Sequence, residues 1–116
     1  MQRNKISFKG QKIFIGIDVH KKNWDVAIAP KIGKVKRHSQ KASAKELFVF
    51  LMKHYPDGDY LAVYESGFSG YSTYYALKEF GIECMVIHTQ LNSRHLGNAS
   101  SKKQRALLRR LFENAS

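Results

Sequence analysis

The sequence predicts an α/β fold with a mixed β-sheet, in which three antiparallel strands are followed by helix-linked parallel strands. Two apolar segments near the start, 12–19 and 24–29, are separated by a few turn residues, which is typical of an antiparallel hairpin. Further along, two helical patterns each lead into a short apolar strand, and such connections favour parallel pairing. Hydrophobic residues make up 43% of the 116 residues, so one small domain with a real core is expected.

The first half of the sheet is predicted from three segments. Lys12–Val19 is apolar on both faces, as an interior strand covered on two sides would be. A turn at Lys21-Lys22-Asn23 leads into Trp24–Ala29, whose alternation indicates a half-buried strand. A second turn at Pro30–Gly33 precedes Lys34–Ser39, which carries the charge that edge strands tend to have.

The first helix is predicted from a capping box, in which Ser43 caps the helix and Glu46 reaches back to it. The helix ends at Pro56-Asp57-Gly58, and Asp59–Glu65 follows as a strand. The apolar stripe of this helix consists of Leu47, Phe48, Phe50 and Leu51.

The second helix follows a glycine-rich turn, Ser66–Gly70. The helix is predicted over Tyr71–Phe80, where Gly81 stops it, and Ile82–Ile87 is the last strand. Residues 89–116 are predicted to be a divergent basic segment in which Ser101 caps a further helix with one apolar face. That face contains Leu107, Leu108, Leu111 and Phe112.

The charge of the chain points to a polyanionic partner. The chain has twenty Lys and Arg residues and nine Asp and Glu residues, which gives a formal charge of +11. The two ends carry the excess, with twelve basic residues against two acids over 1–45 and six against one from residue 84 onward. Such a surplus attracts nucleic acid because each phosphate contact releases counterions. A basic soluble surface without a partner is the simpler alternative. Residues 1–11 are expected to form a basic flexible tail.

Cysteine usage and hydropathy indicate the compartment. Cys84 is the single cysteine, so no internal disulfide is possible, and its apolar surroundings predict a packing thiol rather than a nucleophile. The apolar run Ile13–Ile17 is too short for a signal peptide or a membrane span. We therefore expect a cytoplasmic protein without a membrane partner.

Two acids at strand ends are the strongest candidates for chemistry. Asp18 ends the first apolar strand, and Glu65 ends the strand that precedes the glycine-rich turn. If the two strands are neighbours, the carboxylates face one another at one edge of the sheet, where they repel unless a cation lies between them. Mg²⁺ prefers such oxygen ligands and activates water against phosphodiesters. Alternatively, Asp18 caps the turn at Lys21-Lys22 and Glu65 pairs with a surface lysine.

Other residues have more than one interpretation. Lys21 and Lys22 either steer phosphate toward Asp18 or are simply solvated, and Trp24 is expected to pack in the core rather than stack on a base. The basic C-terminal helix either binds DNA, packs on another domain or is an ordinary surface helix. Phe68 lies in the glycine-rich turn, where a bound backbone would pass. The expected nucleic-acid contacts are Lys21, Lys22, Ser69, Lys102, Lys103 and Arg105. Among Tyr71, Tyr74 and Tyr75, one or two are expected in the core and one exposed near the site.

Two ordered motifs resemble a known family. They resemble the opening blocks of the DEDD-type insertion-sequence transposases, relatives of the Piv invertase. The first motif is Ile15-Gly16-Ile17-Asp18-Val19-His20-Lys21-Lys22 followed by Trp24-Asp25-Val26-Ala27-Ile28, and the second is Tyr64-Glu65-Ser66-Gly67-Phe68-Ser69-Gly70. The resemblance implies that 12–88 is an N-terminal RuvC-like domain with a ribonuclease-H-like fold. It implies a four-acid, Mg²⁺-dependent site for DNA cleavage and strand exchange, with Asp18 as first acid and Glu65 as second. DNA is the expected partner, structured RNA is a further one that the resemblance implies, and self-association stays open.

The chain departs from this family pattern after the last strand. The family's third and fourth acids form an Asp-x-x-Asp pair, whereas residues 100–105 are Ser-Ser-Lys-Lys-Gln-Arg and no Asp follows Asp59. The resemblance also implies a downstream domain with a serine nucleophile, which we expect this chain to lack. We therefore expect a truncated transposase fragment that is inactive alone, in which residues after His88 are a frameshifted or divergent ending.

Two other functions remain open from the sequence. A non-catalytic nucleic-acid-binding module would use the same basic ends, and its affinity would survive loss of Asp18 and Glu65. An actin-like or sugar-kinase-like nucleotide binder shares an acid after the first strand, but it needs more phosphate loops than the single turn at Gly67 and Gly70 supplies.

Overall fold

A computed structural model describes residues 7–67, 70–87, 106 and 108–113 of the chain. Its helices and strands are β1 (Lys12–Val19), β2 (Asn23–Pro30), β3 (Lys36–Lys41), α1 (Ala44–His54), β4 (Asp59–Glu65), α2 (Ser72–Glu79) and β5 (Glu83–Ile87). Residues 106 and 108–113 are also helical, and we call them the C-terminal helical segment. The predicted start of that helix at Ser101 lies outside the described residues.

The strands form one five-stranded sheet in the order β3-β2-β1-β4-β5. β1 pairs antiparallel with β2, and β2 pairs antiparallel with β3. β4 pairs parallel with β1, and β5 pairs parallel with β4. This order and these directions confirm the predicted α/β class, with its antiparallel three-strand start and helix-linked parallel strands in a ribonuclease-H-like arrangement.

Several element boundaries differ from the prediction. β3 begins at Lys36 rather than Lys34, since the connection after Pro30 extends through Gly33, whose φ of 128° is outside the strand region. The first turn is shorter than predicted because Asn23 already belongs to β2 and its carbonyl accepts the His20 N–H at 3.1 Å.

The second helix and the last strand are each slightly shorter than predicted. α2 covers Ser72–Glu79, and Tyr71 and Phe80 occupy its cap positions. Ile82 stays out of β5 because its N–H donates to the Leu77 carbonyl at 3.1 Å.

The sheet is covered on both faces, which explains why β1 is apolar on both sides. One face packs against α1 and α2, where Ile15, Leu47 and Leu77 are fully buried in a single cluster. Against the opposite face lies the C-terminal helical segment, whose Leu111 packs with Val63. The described part of the predicted apolar face of that helix therefore does contact the sheet.

Local hydrogen bonds hold the ends of the elements. The Ser43 hydroxyl accepts the Glu46 N–H at 3.2 Å, which confirms Ser43 as the cap of α1, while the Ser43 N–H donates to the Lys41 carbonyl at 2.8 Å. In the described part of the predicted tail, the Phe8 N–H donates to the Pro56 carbonyl at 2.9 Å, and the Phe8 ring packs against the core. None of the helices in the described part of the chain is long and apolar enough to cross a membrane.

Candidate metal and nucleic-acid site

The parallel pairing of β1 and β4 brings Asp18 and Glu65 to the same edge of the sheet. Ile17 is in register with Tyr64, and the two acids are the next residues along their strands. Both side chains are exposed and line one cavity of about 330 Å³, together with Gly67. The structure thus places the two predicted acids where open α/β sheets collect ligands.

A tighter cluster forms around Asp18 on its other side. Asp18 is in register with Asp25 across the β1–β2 hairpin, and the Nε2 atom of His20 lies 3.3 Å from Asp18 Oδ2. One potential ligand atom from each of Asp18, His20 and Asp25 lies within 4.8 Å of the others. Within the described residues, Asp18 therefore belongs both to the cavity that it shares with Glu65 and to this three-residue cluster.

Asp25 has further partners on β3. The Ser39 hydroxyl donates to Asp25 Oδ1 at 2.6 Å, and Arg37 lies 3.9 Å from Asp25 Oδ2. These contacts fix the Asp25 carboxylate on the same sheet face as Asp18, because residues in register in a sheet share a face. Asp25 is thus a half-buried, positioned acid at the edge of the candidate site.

Sequence reasoning missed Asp25 and His20 as site residues. The length of the turn is the signal that would have found Asp25. If the turn consists of Lys21 and Lys22 alone, the register of the two strands places Asp18 opposite Asp25. The three-residue turn predicted from the sequence shifts that register by one residue and moves Asp25 to the other face.

The C-terminal helical segment closes one side of the cavity. Its Leu108, Arg109 and Phe112 line the same space as Asp18 and Glu65. The family resemblance implies that further acids face this site, but the described part of this helix contributes a cation, Arg109. An arginine beside two carboxylates lowers their mutual repulsion without a metal.

Tyr64 holds the turn that follows Glu65. Its hydroxyl donates to the Gly70 carbonyl at 2.6 Å and accepts the Tyr74 N–H at 3.1 Å. Burial raises the pKa of Tyr64 from its ordinary value of 10.0 to about 12, so the hydroxyl keeps its proton, and can donate to Gly70, to a higher pH than a free tyrosine. Gly70 has a φ of 52°, in the left-handed region that favours glycine. The glycine turn is therefore tied to the strand that positions Glu65.

The remaining predicted residues have mixed outcomes. Lys21 and Lys22 are exposed at the same end of the sheet as Asp18, whereas Trp24 is 4% exposed and packs in the core as predicted. Tyr74 packs against the core, and the other two tyrosines of that helix are exposed. The residues Phe68, Ser69, Lys102, Lys103 and Arg105 lie outside the described part of the chain.

The side chains at this edge fit a divalent cation. Asp18 and Asp25 supply carboxylate oxygens, the ligands that Mg²⁺ and Mn²⁺ prefer, and His20 of the same cluster supplies a nitrogen that suits Mn²⁺ better than Mg²⁺. Glu65 is not a member of that cluster and offers its carboxylate from the cavity that it shares with Asp18. The exposure of Asp18 and His20 leaves room for water ligands, which Mg²⁺ usually retains. Arg109 is the one described lining residue whose charge opposes a bound cation.

Comparison with known proteins gives a structural similarity. No protein-family model matches the sequence, and no curated protein matches it. The chain is similar to a solved structure of RuvC from Thermus thermophilus, with a TM-score of 0.40 and 16% sequence identity. The match covers 90% of this chain and 81% of that chain. The α/β fold class follows from the strand order and directions described above.

Proposed function

We propose that this chain is the RuvC-like N-terminal domain of a DEDD-type insertion-sequence transposase, which acts in DNA transposition and recombination. The observation that carries the proposal is the shared cavity of Asp18 and Glu65, two carboxylates that end neighbouring parallel strands. The two sequence motifs that resemble the family include these same residues. The chemistry is metal-assisted cleavage of a phosphodiester followed by strand exchange, and the chain is expected to act in the cytoplasm.

Each residue at the edge has a distinct role in this proposal. Asp18 and Glu65 hold Mg²⁺, and Asp25 orients the cluster from the neighbouring strand. Lys21 and Lys22 hold DNA phosphates close to the acids, since both are exposed at that end of the sheet. When bound, the cation would lower the pKa of a coordinated water and stabilise the leaving oxygen.

We further propose that the chain is inactive alone. The sequence has no Asp after Asp59 to serve as a third or fourth acid, and Arg109 lines the cavity instead. A positive side chain at this place weakens cation binding, because like charges at close range repel. The chain should therefore bind metal weakly and leave DNA uncut.

Metal titration tests the proposed site. We expect weak Mn²⁺ binding to the wild-type chain by isothermal titration calorimetry, with affinity reduced about tenfold or more, or 1.4 kcal/mol, in Asp18→Asn and in Glu65→Gln. Glu83→Gln is the matched control, since Glu83 is an exposed acid at the first residue of β5. Its affinity should equal that of the wild type.

Two results would contradict the proposal. Equal Mn²⁺ affinity in the wild type, Asp18→Asn and Glu65→Gln would show that these two acids do not bind the cation. Nicking of supercoiled plasmid by the wild-type chain with Mg²⁺, but not by Asp18→Asn, would keep the site and refute the inactivity.

A non-catalytic nucleic-acid-binding module is the second candidate, and the position of Arg109 favours it. Arg109 lines the same cavity as Asp18 and Glu65 and offsets part of their negative charge without a metal, while the charge of +11 still attracts DNA. This function predicts salt-dependent DNA affinity that is unchanged in Asp18→Asn and Glu65→Gln, with no Mn²⁺ response in any variant. A structured RNA would compete with DNA if both use the same basic ends.

A further inference from the structure

A second cavity lies between β3 and the last turns of α1. It has a volume of about 420 Å³, and Ile28, Pro30, Lys36, Phe50 and His54 are among the residues that line it. Pro30 is in register with Ile13, five residues before Asp18 on β1, so the strand rise places Pro30 roughly 17 Å from Asp18 along the sheet. We call this cavity the basic groove. Asp18 and Glu65 are not among its described lining residues.

The basic groove is positively charged. Lys34 and Lys36 line it with exposed side chains, and His38 and His54 add two nitrogen-bearing rings. Arg37 also lines it, but its guanidinium lies 3.9 Å from Asp25 and over the Phe112 ring. No carboxylate is among its described lining residues. Two lysines on one concave surface favour a ligand with closely spaced phosphates, because such a ligand releases counterions at each contact.

A column of three rings forms one wall of the basic groove. The His38 and Phe50 rings are stacked with centroids 4.2 Å apart, and the Phe50 and His54 centroids are 4.4 Å apart. His54 is exposed at the outer end of the column. Flat rings beside cations are the combination on which unpaired bases stack while their backbone is held by charge.

The loop that supplies the lysines is anchored before any ligand arrives. The Ile32 N–H donates to the side-chain oxygen of Gln11 at 3.0 Å, and the Lys31 N–H donates to the Lys12 carbonyl at 3.0 Å. The Ile32 side chain is nonetheless 75% exposed at the mouth of the groove. A fixed loop lowers the ordering cost of binding, and an exposed apolar side chain there gains a partner when the groove is filled.

We propose that the basic groove binds single-stranded nucleic acid. Lys34 and Lys36 hold the phosphates, and a base stacks on the ring column at His54. A second copy of this chain is a poor occupant, since its own charge of +11 opposes approach to a basic surface. The site is separate from the acids of the proposed function and does not depend on a metal.

Fluorescence anisotropy of the full chain with a labelled 12-nucleotide oligo(dT) tests the charge contacts. Lys34→Ala/Lys36→Ala should weaken binding about tenfold or more at 50 mM salt, and its slope of log affinity against log salt should be shallower by about 1.4, since each single-strand phosphate contact contributes about 0.7. Lys45→Ala/Lys78→Ala removes the same charge from the two helices, away from the groove, and should change affinity by less than about twofold. Equal losses in the two double variants would overturn the proposal.

A third variant tests the ring column. His54→Ala should weaken binding about fivefold or more, since base stacking is worth about 1–3 kcal/mol per base. Tyr75→Ala removes an exposed ring from α2 and should leave the affinity unchanged. An unchanged affinity in His54→Ala would contradict the stacking contact, and thermal unfolding of each variant confirms that the fold is retained.

Competition identifies the ligand class. Oligo(dT) and oligo(U) of equal length should both bind and show whether the groove distinguishes DNA from RNA, whereas a blunt duplex should bind more weakly. Displacement by poly-glutamate at equal charge concentration, or tighter binding of the duplex, would contradict a single-strand site. Asp18→Asn should keep full oligonucleotide affinity and Lys34→Ala/Lys36→Ala should keep Mn²⁺ binding, so the two proposals fail independently.

Discussion

At the scale of single residues, the surroundings of Cys84 determine the pKa of its thiol. It lies on β5 in register with Ala62 and packs, half-buried, against the larger core cluster. Burial raises the pKa of the Cys84 thiol to about 12, because the thiolate loses its hydration there. The thiol is therefore neutral at physiological pH and serves packing, as the sequence predicted, rather than nucleophilic attack.

This raised pKa predicts how stability depends on pH. The thiol titrates near its ordinary value of 9.0 in the unfolded chain but only near 12 in the fold, so the folded state is favoured fully below pH 9 and less so as pH rises toward 12. We expect the free energy of unfolding in urea to fall from about pH 9 upward, with a smaller fall in Cys84→Ala.

Alkylation gives an independent check of the same residue. Iodoacetamide should modify Cys84 slowly in the native chain, with no rate increase through pH 9, and rapidly in urea. An identical stability profile for Cys84→Ala and the wild type between pH 8 and 11, or fast native alkylation at pH 9, would contradict the burial of the thiol.

Individual residues of the candidate site were predictable to different degrees. Asp18 and Glu65 stand out in the sequence because an acid at the end of an apolar strand needs a partner, and parallel strands bring such ends together. His20 and Asp25 did not stand out, since their placement depends on a hairpin register that changes with one residue of turn length.

At the scale of elements, the contact between β1 and the C-terminal helical segment depends on Gly16. A Cβ atom on Gly16 would lie 2.9 Å from Leu108 Cδ1, 3.1 Å from Leu111 Cδ1 and 3.2 Å from Phe112 Cε2. The helix approaches the strand this closely only because the glycine has no side chain. Since Arg109 sits on the same helix, this contact also places its charge beside Asp18 and Glu65.

Substitution of Gly16 should displace that helix. Gly16→Ala is expected to cost about 1–3 kcal/mol of unfolding free energy through overpacking. Combining it with Leu108→Ala relieves the shortest contact, so the double variant should be more stable than the sum of the two single effects predicts. Urea unfolding measures both, and strictly additive effects would show that the helix does not pack on Gly16.

The elements themselves were largely predictable, and their boundaries less so. Hydrophobic periodicity located four of the described strands and both of the fully described helices, because β1 and α1 each have apolar faces that require burial, whereas β3 was predicted from the turn before it and from its charge. The start of β3 was wrong by two residues, since the turn before it is extended by Gly33 and no side-chain pattern marks where pairing resumes.

At the scale of the whole molecule, the sheet carries two separate cavities. Asp18 and Glu65 line one of them, and the other is the basic groove between β3 and α1. The predicted excess of positive charge in the first 45 residues is thus concentrated partly in a shaped site. The groove itself was not predictable, because it joins Phe8, the loop at 31–36 and the last turn of α1, which meet only in the folded chain.

The central claim is that the acids at the end of β1 and β4 hold a divalent cation, and paramagnetic mapping tests it most directly. Substoichiometric Mn²⁺ added to the ¹⁵N-labelled chain should broaden the amide signals of residues 17–20, 25 and 65–67, while those of Lys36 and His54 in the basic groove stay sharp. Broadening centred on His38 and His54, or no selective broadening at the edge where Asp18 and Glu65 meet, would contradict the claim.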